Sequence, residues 1–356
     1  MARIDCLGAG LVGSFVAMKL IELGHTVNVF DPDPSKYLRD HRNLRVQKID
    51  AMEYCMDFEN LRGADIVINL LPGDIGSDVT EKLCEYSIKI VDLSFCEDTP
   101  DINVGKCTEN DATILWDVGI APGLSNMLLS EASRLTGELE FGEVRVGGNP
   151  SVKDGSWDYM APFSPIDVIA EYTRPARVIR DYNAEILPAL SERHIIDVEG
   201  KGDMEAFLTD GLRSVLYSIP AKELSEYTVR WPGHIQRFID QRKADSLEID
   251  KLLEEWKFDD EIPNFTWMQV KTKSMEGACM EWIVLDEGDE EWHSMARCTG
   301  LVTVCAVSEW LDDPEMLPAG VHAPESLSSE VISRVLDRMN EEGVSIHQIH
   351  SSPNDD

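Results

Sequence analysis

The sequence predicts an α/β protein. A doubly wound parallel sheet comes first, an α+β domain is inserted after it, and the C-terminal segment returns to the sheet. Three observations predict this. Short apolar runs alternate with helical stretches over roughly the first 120 residues, the pattern of a parallel sheet covered on both faces. Glycines spaced G-x-G-x-x-G separate the first strand from the first helix. Beyond about Glu138 that alternation gives way to alternating strands and mixed helices.

The first element is Ile4–Leu7, an apolar run too short for a helix and so a buried strand. Gly8, Gly10 and Gly13 follow, and an apolar-rich helix runs from Leu11 to about Leu23, where Gly24 stops it. The second strand, Thr26–Phe30, ends on Asp31. Gly8 suits a tight turn, Gly10 lets a pyrophosphate approach the backbone, and Gly13 lets helix and strand pack closely. The turn Gly8, Ala9, Gly10, Leu11, Val12, Gly13 therefore reads as a Rossmann phosphate loop, with the helix N-terminus offering N–H groups and a positive dipole end. Asp31 stands where a carboxylate receives the adenosine ribose hydroxyls. It would repel a 2′-phosphate, and Pro32-Asp33-Pro34 places no arginine beside it, so the expected cofactor is NAD rather than NADP.

Further strands are expected at Leu44–Val46, Ala64–Leu71, Lys89–Leu93 and Thr113–Asp117, with helices over Ala51–Leu61, Asp78–Tyr86 and near Thr108. Leu71 and Pro72 then lie at the carboxyl edge beside the glycine turn, where the nicotinamide half of the cofactor would pass. Gly119, Pro122 and Gly123 form a loop read both as a hinge and as a cover for that half. It leads into a helix ending near Leu135. In the inserted domain, Glu143–Val146 reads as a strand and Gly147–Pro150 as a turn. Asp203–Ile219 reads as a helix and Gly233–Trp256 as one long charged helix. Thr266–Lys273 and Ala278–Asp286 read as an antiparallel pair. Helices over Ser294–Leu311 and Ser328–Glu342 make the return, and the tail Ser351–Asp356 is expected to be disordered. The domains are thus 1–123 with a return over about 296–350, and 124–295 for substrate and oligomerisation.

The chain has 356 residues, 43% of them hydrophobic, with 66 acidic against 32 basic side chains and a formal net charge of −34. Such a surface repels nucleic acid and anionic membrane, and it suits a salt-rich environment. No apolar stretch approaches the roughly 18 residues of a membrane span, and the start shows no signal segment, which together point to the cytoplasm. The eight cysteines include no zinc-type spacing, so neither a metal site nor disulfides are expected.

Seven segments together resemble the saccharopine dehydrogenase-like family, and within it the short lysine 6-dehydrogenases. They are GAGLVG at 8–13, INLLPG at 68–73, VDLSF at 91–95, WDVGIAPGLSNML at 116–128, EYTRPARVI at 171–179, VRWPGH at 229–234 and SMARCTG at 294–300. The resemblance implies a Rossmann domain, an inserted substrate domain, a homodimer or higher homo-oligomer, and NAD(P)-linked chemistry at a C–N bond. Its lysine branch oxidises the ε-amine to a semialdehyde. Saccharopine- and carboxynorspermidine-type enzymes act on secondary amines and are the nearest alternative, and a non-catalytic NAD-binding protein is the alternative from another class.

A carboxylate substrate needs a cationic clamp, and Arg174 or Arg230 is the expected one in so acidic a chain. Asp92 and Asp117 end consecutive strands at the carboxyl edge, where either can face a substrate ammonium or cap a turn. His234, after Pro-Gly, and His293, before SMAR, are candidates to carry protons near neutral pH. Tyr172 is a candidate to orient the substrate.

Overall fold

A computed structural model describes residues 1–351 of the chain. The first strands are β1 (Arg3–Leu7), β2 (Thr26–Phe30), β3 (Leu44–Gln47), β4 (Ile66–Asn69), β5 (Lys89–Asp92) and β6 (Thr113–Trp116). The middle of the chain supplies β7 (Leu139–Pro150), β8 (Ala176–Arg180), β9 (Asn183–Leu187), β10 (His194–Val198), β11 (Gly202–Leu208), β12 (Ala221–Arg230), β13 (Asn264–Ser274) and β14 (Cys279–Asp286). Then come β15 (Gly320–His322) and β16 (Ser345–Ser351). The chain divides into two units. One is Met1–Leu124 with Ala296–Met339; the other is Ser125–Met295 with the stretch from Asn340 onward.

The first unit holds a sheet in the order β15-β6-β5-β4-β1-β2-β3, with every neighbouring pair parallel. β1, β2, β4 and β6 are buried almost throughout, as strands covered on both faces must be, which is why they read as mainly apolar runs. The strand order reverses between β1 and β4, so the turns after these two strands flank a crevice at the carboxyl edge. The helix expected over Ala51–Leu61 breaks into Ala51–Met56 and Phe58–Leu61, because Asp57 turns extended and its carboxylate accepts the Glu59 N–H.

The second unit holds a mixed sheet running β10-β11-β12-β7-β13-β14-β16, with β8 attached to β12 and β9 paired with β8. β12 and β7 are parallel; the other pairs are antiparallel. Alternation sends side chains to opposite faces. Ala206, Leu208, Tyr227 and Val229 join one apolar core, while Phe207 joins the other with Trp157, Tyr172, Phe238 and Trp256.

Four expectations are corrected here. Gly147–Pro150 is not a turn: it continues β7 and pairs with Asn264–Trp267. Its glycine is there because the Val229 carbonyl passes so close that a Cβ on Gly147 would lie 2.1 Å from it. Asp203–Ile219 is not a helix but β11 followed by the short helix Val215–Ser218, since pairing with β10 and β12 on both edges overrides local propensity. The long charged helix is two, His234–Lys243 and Ile249–Glu255, parted where Asp245 takes φ 51°. The return to the first unit stops at Met339 rather than near 350, because β16 pairs with β14. Of the expected disordered tail, Ser351 ends β16 and the rest lies outside the described residues.

Candidate functional site

The glycine turn of the first unit is tightly built. Gly8 takes φ 97°, and a Cβ there would stand 2.9 Å from the Leu70 carbonyl oxygen. At Gly13 a Cβ would lie 2.5 Å from the Gly8 oxygen, so the helix Leu11–Glu22 presses directly on the turn. Around a Cβ at Gly10, by contrast, there is open space, so the backbone is approachable there. No side chain caps this helix and its first turn carries no acid, which leaves the positive end of its dipole uncompensated. Asp31 accepts the Ala9 N–H at 2.7 Å on one oxygen and the Asp33 N–H at 2.7 Å on the other. A carboxylate has about four acceptor positions, so Asp31 braces the turn and keeps acceptor capacity.

The turn after β4 is held by a buried polar net. Asn69 donates to the Gly76 carbonyl at 2.8 Å and contacts Thr80 Oγ1 at 2.9 Å, and its own oxygen accepts the Leu71 N–H at 3.2 Å, setting Leu71 and Pro72. Asp92 receives Thr80 Oγ1 at 2.6 Å on one oxygen, and the Ser94 N–H and hydroxyl at 2.7 and 2.6 Å on the other. Burial pushes the Asp92 carboxyl up to about 6 despite these bonds, and the Asp117 charge adds to the rise. Asp92 therefore fixes the ends of β4 and β5. Asp117 is buried, takes φ 53°, and donates its backbone N–H to the Asp92 carbonyl at 2.8 Å. The loop after it closes on itself. The Gly119 N–H bonds the Pro122 carbonyl at 3.2 Å, and a Cβ on Gly123 would fall 2.1 Å from the Gly119 oxygen.

The second unit buries a cationic cluster. Arg230, 3% exposed at the end of β12, donates Nε–H to Tyr172 Oη at 2.9 Å and another N–H to the Val229 carbonyl at 3.1 Å. Its guanidinium carbon lies 4.8 Å from the centre of the Tyr159 ring, a cation–π distance. Glu171 Oε2 stands 3.9 Å from Nη2. Tyr172 Oη also meets His234 Nε2 at 3.1 Å, and His234 Nδ1 meets the Trp157 carbonyl at 3.0 Å. A carbonyl only accepts, so Nδ1 carries the ring hydrogen and Nε2 accepts from the Tyr172 hydroxyl. The bonds thus run in one direction, from Arg230 through Tyr172 and His234 to Trp157.

This arrangement revises the histidine expectations. Burial, with the Arg230 charge behind it, pushes His234 down to about 3. Burial alone pushes His293, packed on the Phe258 ring at 4.5 Å, down to about 4. Both are neutral imidazoles near pH 7, so neither takes up and releases protons there. The structure brings Tyr172 and Arg230 together, and Arg174 is the C-cap residue of the helix Pro165–Thr173 that carries Glu171 and Tyr172. Sequence reading missed Tyr159, Glu171 and the polar stripe Glu226-x-Thr228-x-Arg230. Polar residues at every second position over 226–230, alternating with Tyr227 and Val229, were the available signal.

A parallel sheet with a glycine turn at its switch point is the dinucleotide-binding class of α/β unit. Residues 119–344 match the saccharopine dehydrogenase C-terminal domain family, and the chain belongs to that family. Among solved structures it is similar to the apo histidine-tagged saccharopine dehydrogenase (L-Glu forming) of Saccharomyces cerevisiae. The identity is 15%, the match covers 99% of this chain and 100% of that one, and the TM-score is 0.78. It is also similar to a homospermidine synthase from Legionella pneumophila solved in complex with NAD, at 12% identity, covering 98% and 91% of the two chains with a TM-score of 0.64. At these identities the likeness is one of fold.

Proposed function

We propose that the chain is an NAD-dependent amino-acid dehydrogenase acting on a C–N bond, with the ε-amine of lysine as its substrate. The observation that carries the cofactor is the glycine turn: open at Gly10, closed at Gly8 and Gly13, and braced by an aspartate with acceptor positions to spare. Gly8, Ala9, Gly10, Leu11, Val12 and Gly13 hold the pyrophosphate through backbone N–H groups and the helix end. Asp31 takes the ribose hydroxyls, and Leu71, Pro72, Gly119 and Pro122 position the nicotinamide half. Bound NAD supplies the hydride acceptor. Arg230 takes the substrate carboxylate. Two of its five N–H donors are spent within the described residues, and the Tyr172–His234 bonds fix its plane. Glu171 faces the substrate ammonium. Asp92 and Asp117 hold the strand ends.

The saccharopine dehydrogenase family match favours a second reading, a secondary amine of saccharopine or carboxynorspermidine type. The test is NADH absorbance with NAD and lysine, saccharopine, ornithine or a polyamine, at low and high salt. Turnover with lysine alone is expected. Turnover with saccharopine but not lysine moves the assignment to the second reading. NAD binding without turnover on any amine leaves a non-catalytic NAD-binding protein.

A further inference from the structure

Four side chains of the second unit form a line of short oxygen contacts. Glu226 Oε2 lies 2.6 Å from Thr209 Oγ1, Thr209 Oγ1 lies 2.8 Å from Thr228 Oγ1, and Thr228 Oγ1 lies 2.6 Å from Glu171 Oε1. Glu226 and Thr228 share a face of β12, Thr209 follows β11, and Glu171 rides on the helix Pro165–Thr173. Each contact needs one hydrogen. The two threonine hydroxyls supply two, and an ionised carboxylate supplies none. Two buried oxygens facing each other without a hydrogen would repel, so the third hydrogen belongs to one of the carboxyls.

The surroundings say which. Glu226 is 3% exposed and lies near the charges of Glu171 and Asp210; its Oε2 has one further donor in reach, the Gly211 N–H at 3.1 Å. The cation nearest Asp210 is already committed, since Arg177 grips that carboxylate through Nε and Nη2 at 2.9 and 2.7 Å. Glu171 instead has Arg230 at 3.9 Å to hold its charge. Burial first, then the Glu171 and Asp210 charges, push Glu226 up to about 8.

We propose that Glu226 is a neutral acid near pH 7 and that Glu226, Thr209, Thr228 and Glu171 form a one-proton relay ending beside Arg230. In one state the O–H bonds point from Glu226 through both threonines to Glu171. In the other all three protons have moved one oxygen along, leaving Glu226 ionised and Glu171 an acid. Three O–H bonds break, three form, and the single negative charge is conserved. Resting on the dehydrogenase reading, Glu171 receives the substrate proton in the first state, where Glu226 keeps its own proton and Glu171 is ionised; both carboxyls are neutral once that proton has arrived. An N–H bond of the substrate ammonium breaks, its proton joins Glu171 Oε2, and nitrogen keeps the electron pair. That oxygen accepts no hydrogen bond from the described residues. Glu226 acts through Glu171 and is a positioning residue.

The first test is infrared spectroscopy of the full chain without NAD or substrate. At pH 7 the wild type should show the carbonyl stretch of a protonated carboxyl, fading as pH rises through about 8. Glu226→Gln keeps an N–H donor toward Thr209 and should lose the band. Thr228→Ser should keep it at its wild-type frequency, and Thr228→Val should shift it. No band at pH 7, or a band that survives Glu226→Gln in a folded protein, overturns the neutral acid. The second test is the kcat–pH profile with the amine that turns over. Thr228→Val should move it and Thr228→Ser should not; an unmoved profile in Thr228→Val overturns the relay. If no amine is oxidised the functional reading fails, and the infrared result still decides the neutral acid.

Discussion

Asp31 serves two partners with one carboxylate. It receives N–H groups from Ala9 and Asp33, and the remaining acceptor positions suit ribose hydroxyls. Hydrogen bonds to a charged group contribute about 1.5–3 kcal/mol each, so loss of even one in Asp31→Ala should raise the NAD dissociation constant at least roughly ten- to a hundredfold. It should also narrow the preference for NAD over NADP, because the charge opposing a 2′-phosphate is gone. Titration calorimetry with both dinucleotides checks this; an unchanged NAD affinity would remove Asp31 from the site. At the same scale, the histidine in VRWPGH reads as a proton carrier by residue type alone. Its burial against Trp157, Tyr159 and Trp256 turns it into a neutral strut for Tyr172.

At the scale of elements, the helix Leu11–Glu22 sits on its strand only because Gly13 has no side chain. The Gly8 oxygen that a Cβ would meet at 2.5 Å is backbone and cannot swing away. Gly13→Ala should therefore push the helix off the turn, lower stability by about 1–3 kcal/mol, and weaken dinucleotide binding. Denaturant unfolding and NAD titration read the two effects, and a variant as stable as wild type would mean the packing is looser than described. β1, β2, β4 and β6 were legible because each is a buried, mainly apolar run bounded by breakers. β11 and β12 were not. Their inward faces carry Glu205, Glu226, Thr228 and Arg230, polar residues that make sense only once each has met its partner across the sheet.

At the scale of the molecule, buried titratable groups set opposing slopes in stability against pH. His234 and His293 are held neutral down to about 3 and 4. The unfolded chain protonates both below about 6.5, so acid favours unfolding and their contribution falls between those limits. Glu226 runs the other way. Its folded value of about 8 lies above the ordinary 4.5, so its contribution is complete below 4.5 and is lost as pH rises through 8. The slopes partly cancel between 4.5 and 6.5, and single variants separate them. His234→Gln should make the loss of stability from pH 6.5 toward 3 shallower than in wild type, and calorimetric melting across that range checks it. An unchanged acid slope would mean His234 is protonated in the fold.

The sequence by itself determined the parallel sheet, the glycine turn with its aspartate, and the segments that point to the family. Those signals are local: strand, turn, helix and acid follow one another within about 30 residues of a βαβ unit. Only the tertiary structure decided the inside of the second unit. Arg230, Tyr172, His234, Glu171, Thr209 and Glu226 come from several elements spread along the chain, and their chemistry depends on burial and on which oxygen faces which hydrogen. Protonation in such a place is a property of the neighbours, because low dielectric and a fixed count of donors decide which group keeps its charge.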